Sequence, residues 1–212
     1  MKDAPAKRRT SEMRAEYDFS AGVRGKYTGR MQEMAAFGSR WLDQRIEAIN
    51  ICMGAGFAEA ALTLLYSGID TLAFLGAPAG AKDVKQDDFV KWCDRYIVPL
   101  LSSTAAGADL YGARCGVLHT SSAASRMGRQ GDAREVWYHF KDRAGVNLMA
   151  NTPRPALMLE IEALVDAFGK GSRQFVADLE GDPVRRANAQ ERAGQFFSWG
   201  ILASGRGSMM TR

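Results

Sequence analysis

The chain has 212 residues, of which 46% are hydrophobic and 25% charged, with a net charge of +4. That is enough for one sizeable hydrophobic core with or without a peripheral arm, and it argues against two full domains. No run approaches the roughly 18–20 apolar residues of a membrane helix, and Met1-Lys2-Asp3 followed by Lys7-Arg8-Arg9 lacks the apolar core of a secretory signal, so a cytoplasmic protein without membrane association is expected.

Residues 1–30 carry eight Lys and Arg against four Asp and Glu, whereas residues 31–212 carry twenty of each. The excess positive charge therefore lies in an N-terminal arm, predicted to be flexible. Such an arm can hold RNA through counterion release or act as a solubilising tail. Cys52, Cys93 and Cys115 form no CxxC pair and leave one over, which suggests neither a disulfide framework nor a zinc site. They are expected to be reduced, buried small hydrophobes.

Beyond the arm, Met34, Phe37, Trp41, Leu42, Ile46, Ile49 and Ile51 recur at steps of three and four, predicting a helix over residues 31–52. After Gly54 and Gly56, residues 57–75 carry Ala61, Leu64, Leu65, Ile69 and Leu72 with almost no charge, as a central buried helix would. Asp70 is the only acid in its second half and needs a partner if buried. Residues 83–101 place Phe89, Trp92, Cys93, Tyr96 and Ile97 at helical spacing behind acidic residues, with Pro99 expected to fray or kink the end. The next predicted helix spans residues 105–118, with Leu110, Tyr111, Arg114 and Leu118 on one face. Residues 120–132 read as a loop, and residues 136–140 fit either a strand or a helical start. Pro153 and Pro155 open a predicted long helix with Leu157, Leu159, Ile161, Leu164, Phe168 and Phe175 as its apolar stripe. A final helix is predicted from Asp182-Pro183 to about Trp199, and residues 201–212 read as a disordered tail. The expected architecture is all-α, a single helical domain over residues 31–200. Trp41, Trp92 and Phe168 are assigned to the core rather than to base stacking.

His119 and His139 are the only histidines. His119 follows Arg114 after four intervening residues, and a helix broken after its last turn would bring both heads to one side. Cleavage of RNA by its own 2′-hydroxyl needs a group that moves a proton and a cation that steadies charge on phosphorus, which His and Arg supply without a metal. The pair Arg134 and His139 has the same spacing, so at least one match is incidental. A nucleophilic Cys115–His119 pair lacks a visible orienting group. Arg126 and Arg129, with Arg134, read as a phosphate-contacting loop or a merely solvated one.

The run from Asp109 to Ser122, with Tyr111, Arg114-Cys115-Gly116 and Leu118-His119 leading into a Ser/Thr-rich segment, resembles the HEPN superfamily and its bacterial Arg-x4-His branch. Gly131 to Arg134, Tyr138 and the upstream Tyr66 to Ala73 extend the likeness over residues 45–140. The resemblance implies a helical bundle, HEPN-like, with added C-terminal helices and an N-terminal arm, dimeric in many members. Many members are metal-independent RNA endonucleases acting as toxins or defence components. Others are catalytically silent dimerising modules that bind RNA, a nucleotide or a protein partner. Carried over by position, Arg114 contacts the scissile phosphate and His119 donates or accepts the proton. Tyr111, Asp70, Ser121, Arg126 and Arg129 are supporting or RNA-binding residues, and no metal or cofactor is implied. The family commonly has a polar residue after the motif arginine, where this chain has Cys115.

Glu16-Tyr17-Asp18-Phe19-Ser20-Ala21-Gly22-Val23-Arg24-Gly25-Lys26-Tyr27 resembles a segment near the start of many small bacterial antitoxin-type proteins. It can equally be an aromatic-anchored arm folded over the core. Together the two resemblances suggest a regulated toxin or the silent half of a toxin pair, with an antitoxin or another protein as partner.

Overall fold

The computed structural model describes residues 28–120, 125–143 and 156–196. The arm up to residue 27, Ser121, Pro153, Pro155, Trp199 and the tail lie outside the described residues. The described chain runs α1 (Thr28–Gly54), α2 (Ala58–Gly76), α3 (Gln86–Tyr96), α4 (Gly107–Thr120), α5 (Arg126–Gln130), β1 (Glu135–His139), β2 (Ala156–Glu160), α6 (Ile161–Glu180) and α7 (Pro183–Phe196). The fold is mainly helical.

The apolar sequence of α2 makes it the centre. Leu62, Leu65, Tyr66, Ile69 and Leu72 are buried on a broad face, and α1, α3, α4, α6 and α7 all pack against the helix. Its 19 residues are also long and apolar enough to cross a bilayer by length and composition, contrary to the expectation that no segment approaches this. Half of that stretch is buried inside the bundle, as in the core helix of a packed domain. The core against it comprises Ile49 from α1, Phe89 and Cys93 from α3, Leu110 from α4, and Leu164, Phe168 and Phe175 from α6. Of the aromatics assigned to the core, Trp92 and Phe168 are buried and Trp41 is half-buried. α6 comes so close to the end of α3 that a Cβ on Gly171 would collide with the backbone carbonyl of Tyr96.

Two local expectations are corrected and one open alternative is decided. The long helix behind the prolines begins at Ile161, and the residues before it form β2, which pairs in parallel with β1 so that Val136 faces Leu157 and Tyr138 faces Leu159. The fold is thus not purely all-α. The physical reason is a change of period: Leu157 and Leu159 are buried while Ala156, Met158 and Glu160 are only half-buried, the alternation of a strand. From Ile161 onward the buried positions follow the helical repeat. Of residues 136–140, all but Phe140 take the strand alternative, within Glu135–His139. Within the predicted 120–132 loop lies the short helix α5, capped by the Ser125 side chain accepting from the Gly128 N–H and closed by Gly131 at φ +84°. Pro99 behaves as expected, since α3 gives way to a 3-10 turn over Val98–Leu100.

Candidate functional site

The site begins with the one acid in the second half of the apolar helix. Asp70 faces α4, and its Oδ2 accepts from Nε of Arg114 at 2.9 Å and from Nη2 at 2.7 Å. Only 20% of the Arg114 side chain and 18% of the Asp70 side chain are exposed, so the ion pair is largely withdrawn from water. Burial alone would lower the pKa of the Arg114 guanidinium, but the hydrogen bonds and charge of Asp70 outweigh it and hold the group above its ordinary value.

Pairing of one guanidinium edge leaves Nη1, which points to His119. The Nη1–Nε2 separation is 3.4 Å, at the long end of a hydrogen bond. With arginine as the donor, Nε2 accepts and the neutral ring carries its proton on Nδ1. His119 itself is exposed. The expected helical break between the two residues is absent, since α4 continues through Thr120. Five positions along an ideal helix turn the side chains about 140° apart, so it is the length of the arginine that closes the gap.

Tyr111 completes the setting one turn earlier, its ring centroid 5.9 Å from Cζ of Arg114 and 5.4 Å from the Phe89 ring. Burial pushes the Tyr111 phenol above its ordinary pKa, with Cys115 adding to the effect and Arg114 opposing it. The phenol is therefore a neutral hydrogen-bonding group and not a base. The Cys115 thiol stands beside Tyr111 and Arg114 and helps to raise the pKa of both. Cys115 and Cys52 are half-buried and only Cys93 is buried, so the expectation of three buried thiols holds for one.

The second Arg-x4-His pair is not assembled. Arg134 precedes β1 and His139 ends it, and extended backbone carries the two apart. Arg134 is taken up by structure, since its Nη2 meets Oδ2 of Asp109 at 2.6 Å and its Nη1 donates to Thr104 Oγ1 at 3.0 Å. Asp109 also accepts from the backbone N–H groups of Ala106 and Arg134, which ties the start of α4 to the start of β1. His139 Nδ1 lies 3.1 Å from the carbonyl of Phe140. Arg126 and Arg129 are exposed on α5, the element following the segment after His119.

A polar contact and a buried cation elsewhere in the bundle were not legible in the sequence. The hydroxyl of fully buried Tyr66, one turn before Asp70, hydrogen-bonds the Tyr138 hydroxyl at 2.5 Å. Burial raises both phenols far above their ordinary pKa, so this bridge between α2 and β1 is neutral. Arg192 of α7 is also buried. Among the described residues no three His, Cys, Asp or Glu side chains group as a metal would require. Comparison with protein-family models, curated proteins and solved structures finds no match to the chain.

Proposed function

We propose that the chain is a metal-independent RNA endonuclease of HEPN type, working as a toxin or defence component. The observation that carries this reading is the Arg114–His119 pair, a positioned cation and an exposed imidazole with their nitrogens 3.4 Å apart at the end of α4. Attack of a ribose 2′-hydroxyl on the adjacent phosphorus forms a 2′,3′-cyclic phosphate and expels the 5′-oxygen. A proton must leave the first oxygen and another must reach the second. The His119 imidazole suits either transfer, and the Arg114 Nη1 edge suits the charge building on the phosphoryl oxygens. Asp70 holds the guanidinium by its other edge and so fixes its aim. A second copy would supply the second imidazole, in a homodimer with two α4 ends around one cleft. Arg126 and Arg129 are placed in sequence to meet flanking phosphates, which would position RNA without reading its bases.

One observation favours the alternative, a silent dimerising module that binds RNA, a nucleotide or a protein partner. Arg114 spends two of its donors on Asp70, as a purely structural arginine would. Incubation of mixed RNA with the purified chain in excess EDTA separates the two readings. The nuclease reading expects cutting that is lost in His119→Ala and Arg114→Ala chains that remain folded. Absence of cutting by wild type, with RNA binding retained, would replace it with the silent module.

A further inference from the structure

We propose that α7 is a detachable brace, docked by Arg192 as a peg in the C-terminal end of α2, that opens and closes independently of the rest of the bundle. This does not depend on the nuclease reading. The last carbonyls of a helix have no partner within it and form the negative end of its dipole. Arg192 fills that end of α2. Its Nη1 donates to the carbonyls of Leu75 at 3.2 Å and Ala77 at 2.7 Å, and its Nη2 donates to that of Pro78. The guanidinium carbon stands 5.6 Å from the centroid of the Phe74 ring. The residue is 4% exposed, and its described hydrogen bonds all go to backbone carbonyls.

Among the described side chains little else holds α7 down beyond Arg185, which approaches Tyr96 of α3. Of its described side chains, at residues 183–193, only Ala189 and Arg192 are buried, and Val184 is 71% exposed. The neighbouring α6 buries Ile161, Leu164, Phe168 and Phe175 among others. Apolar burial scales with area removed from water, so α6 belongs to the cooperative core while residues 183–193 of α7 gain little from it. The start of α7 is also self-sufficient. Asp182 Oδ1 accepts from the N–H groups of Val184 at 3.1 Å and Arg185 at 3.0 Å, so the helix cap survives undocking. The joint between α6 and α7 is Gly181, whose N–H closes α6 on the carbonyl of Ala177. Undocking therefore removes one buried cation and uncaps α2 a little over one turn beyond Asp70, leaving the core aromatics in place.

Native-state hydrogen exchange of the full chain, read by mass spectrometry on peptides from α2, α3, α6 and α7, tests this. In wild type, α7 amides should exchange through openings that leave α3 and α6 protected. Arg192→Gln should speed α7 exchange about ten- to a hundredfold, the loss expected when hydrogen bonds to a charged group are removed. Arg192→Lys, which keeps the charge but loses the planar fork, should fall between. Wild-type α7 exchanging only together with α3 and α6 would overturn the proposal, as would an α7 rate unchanged in Arg192→Gln or equal acceleration of all four helices.

Discussion

Replacement of Asp70 by asparagine keeps the shape of the side chain and removes the charge that holds Arg114. The Arg114 side chain is four-fifths withdrawn from water, and its Nε and Nη2 would face an amide that can no longer balance a cation. Breaking one partner out of a fully buried ion pair costs about 3–5 kcal/mol, and hydrogen bonds to charged groups are worth about 1.5–3 kcal/mol each. The residual exposure of this pair and the acceptor retained by asparagine place Asp70→Asn nearer to about 2–3 kcal/mol. In a chain of this length that lowers Tm by roughly 4–12 °C. Urea unfolding followed by circular dichroism measures the change, and a cycle with Arg114→Met isolates the pair. The single substitutions should each destabilise, and the double variant should be less destabilised than their sum by at least about 1 kcal/mol. Strict additivity, or Asp70→Asn within about 0.5 kcal/mol of wild type, would refute the claim that Asp70 holds Arg114.

Asp109→Asn tests the tie between α4 and β1 through pH. Burial opposes the Asp109 carboxylate, but hydrogen bonds from the Arg134 side chain, the Arg134 N–H and the Ala106 N–H prevail and lower its pKa. A lowered carboxyl pKa contributes stability that is fully present above the unfolded value of about 3.9 and is lost as pH falls through the folded value. The gap between wild type and Asp109→Asn in unfolding experiments should thus be wide at neutral pH and close in acid; a gap independent of pH would contradict the assignment. Tyr66→Phe should cost about 1–2 kcal/mol by leaving the Tyr138 hydroxyl without its partner, and the double Phe variant should recover part of that loss. Gly171→Ala should destabilise by about 1–3 kcal/mol, because the added methyl meets the Tyr96 carbonyl rather than a flexible side chain. Thermal unfolding above that of wild type would show that α3 and α6 are less closely packed than described.

The helices were legible wherever one face had to be buried. α2 announced itself through an almost uncharged apolar run, and the one acid in its second half flagged the need for a partner within the fold. Which cation answers Asp70 was not written locally, because Arg114 lies 44 residues away and meets it only once α2 and α4 pack. The same holds for Arg134 and Asp109, 25 residues apart, and for Tyr66 and Tyr138, 72 apart. β2 was missed because a short apolar run with Leu157 and Leu159 fits a strand or a buried helix equally until its pairing with β1 decides. Ser125 before α5 and Gly131 after it were a readable cap and stop, overlooked in a segment whose composition suggested a loop. Arg192 left no trace in the sequence, since an arginine on a polar helix ordinarily faces solvent.

The central claim is that Arg114 and His119 cleave RNA through its own 2′-hydroxyl. The most direct measurement incubates the purified chain in excess EDTA with an RNA it cuts at a mapped position and with the same strand carrying a single 2′-deoxyribose there. The account predicts a 2′,3′-cyclic phosphate and a 5′-hydroxyl at the cut, both absent from the deoxy-substituted strand and from a folded His119→Ala chain. Cutting of the deoxy strand at the same position, or undiminished cutting by His119→Ala, would contradict it.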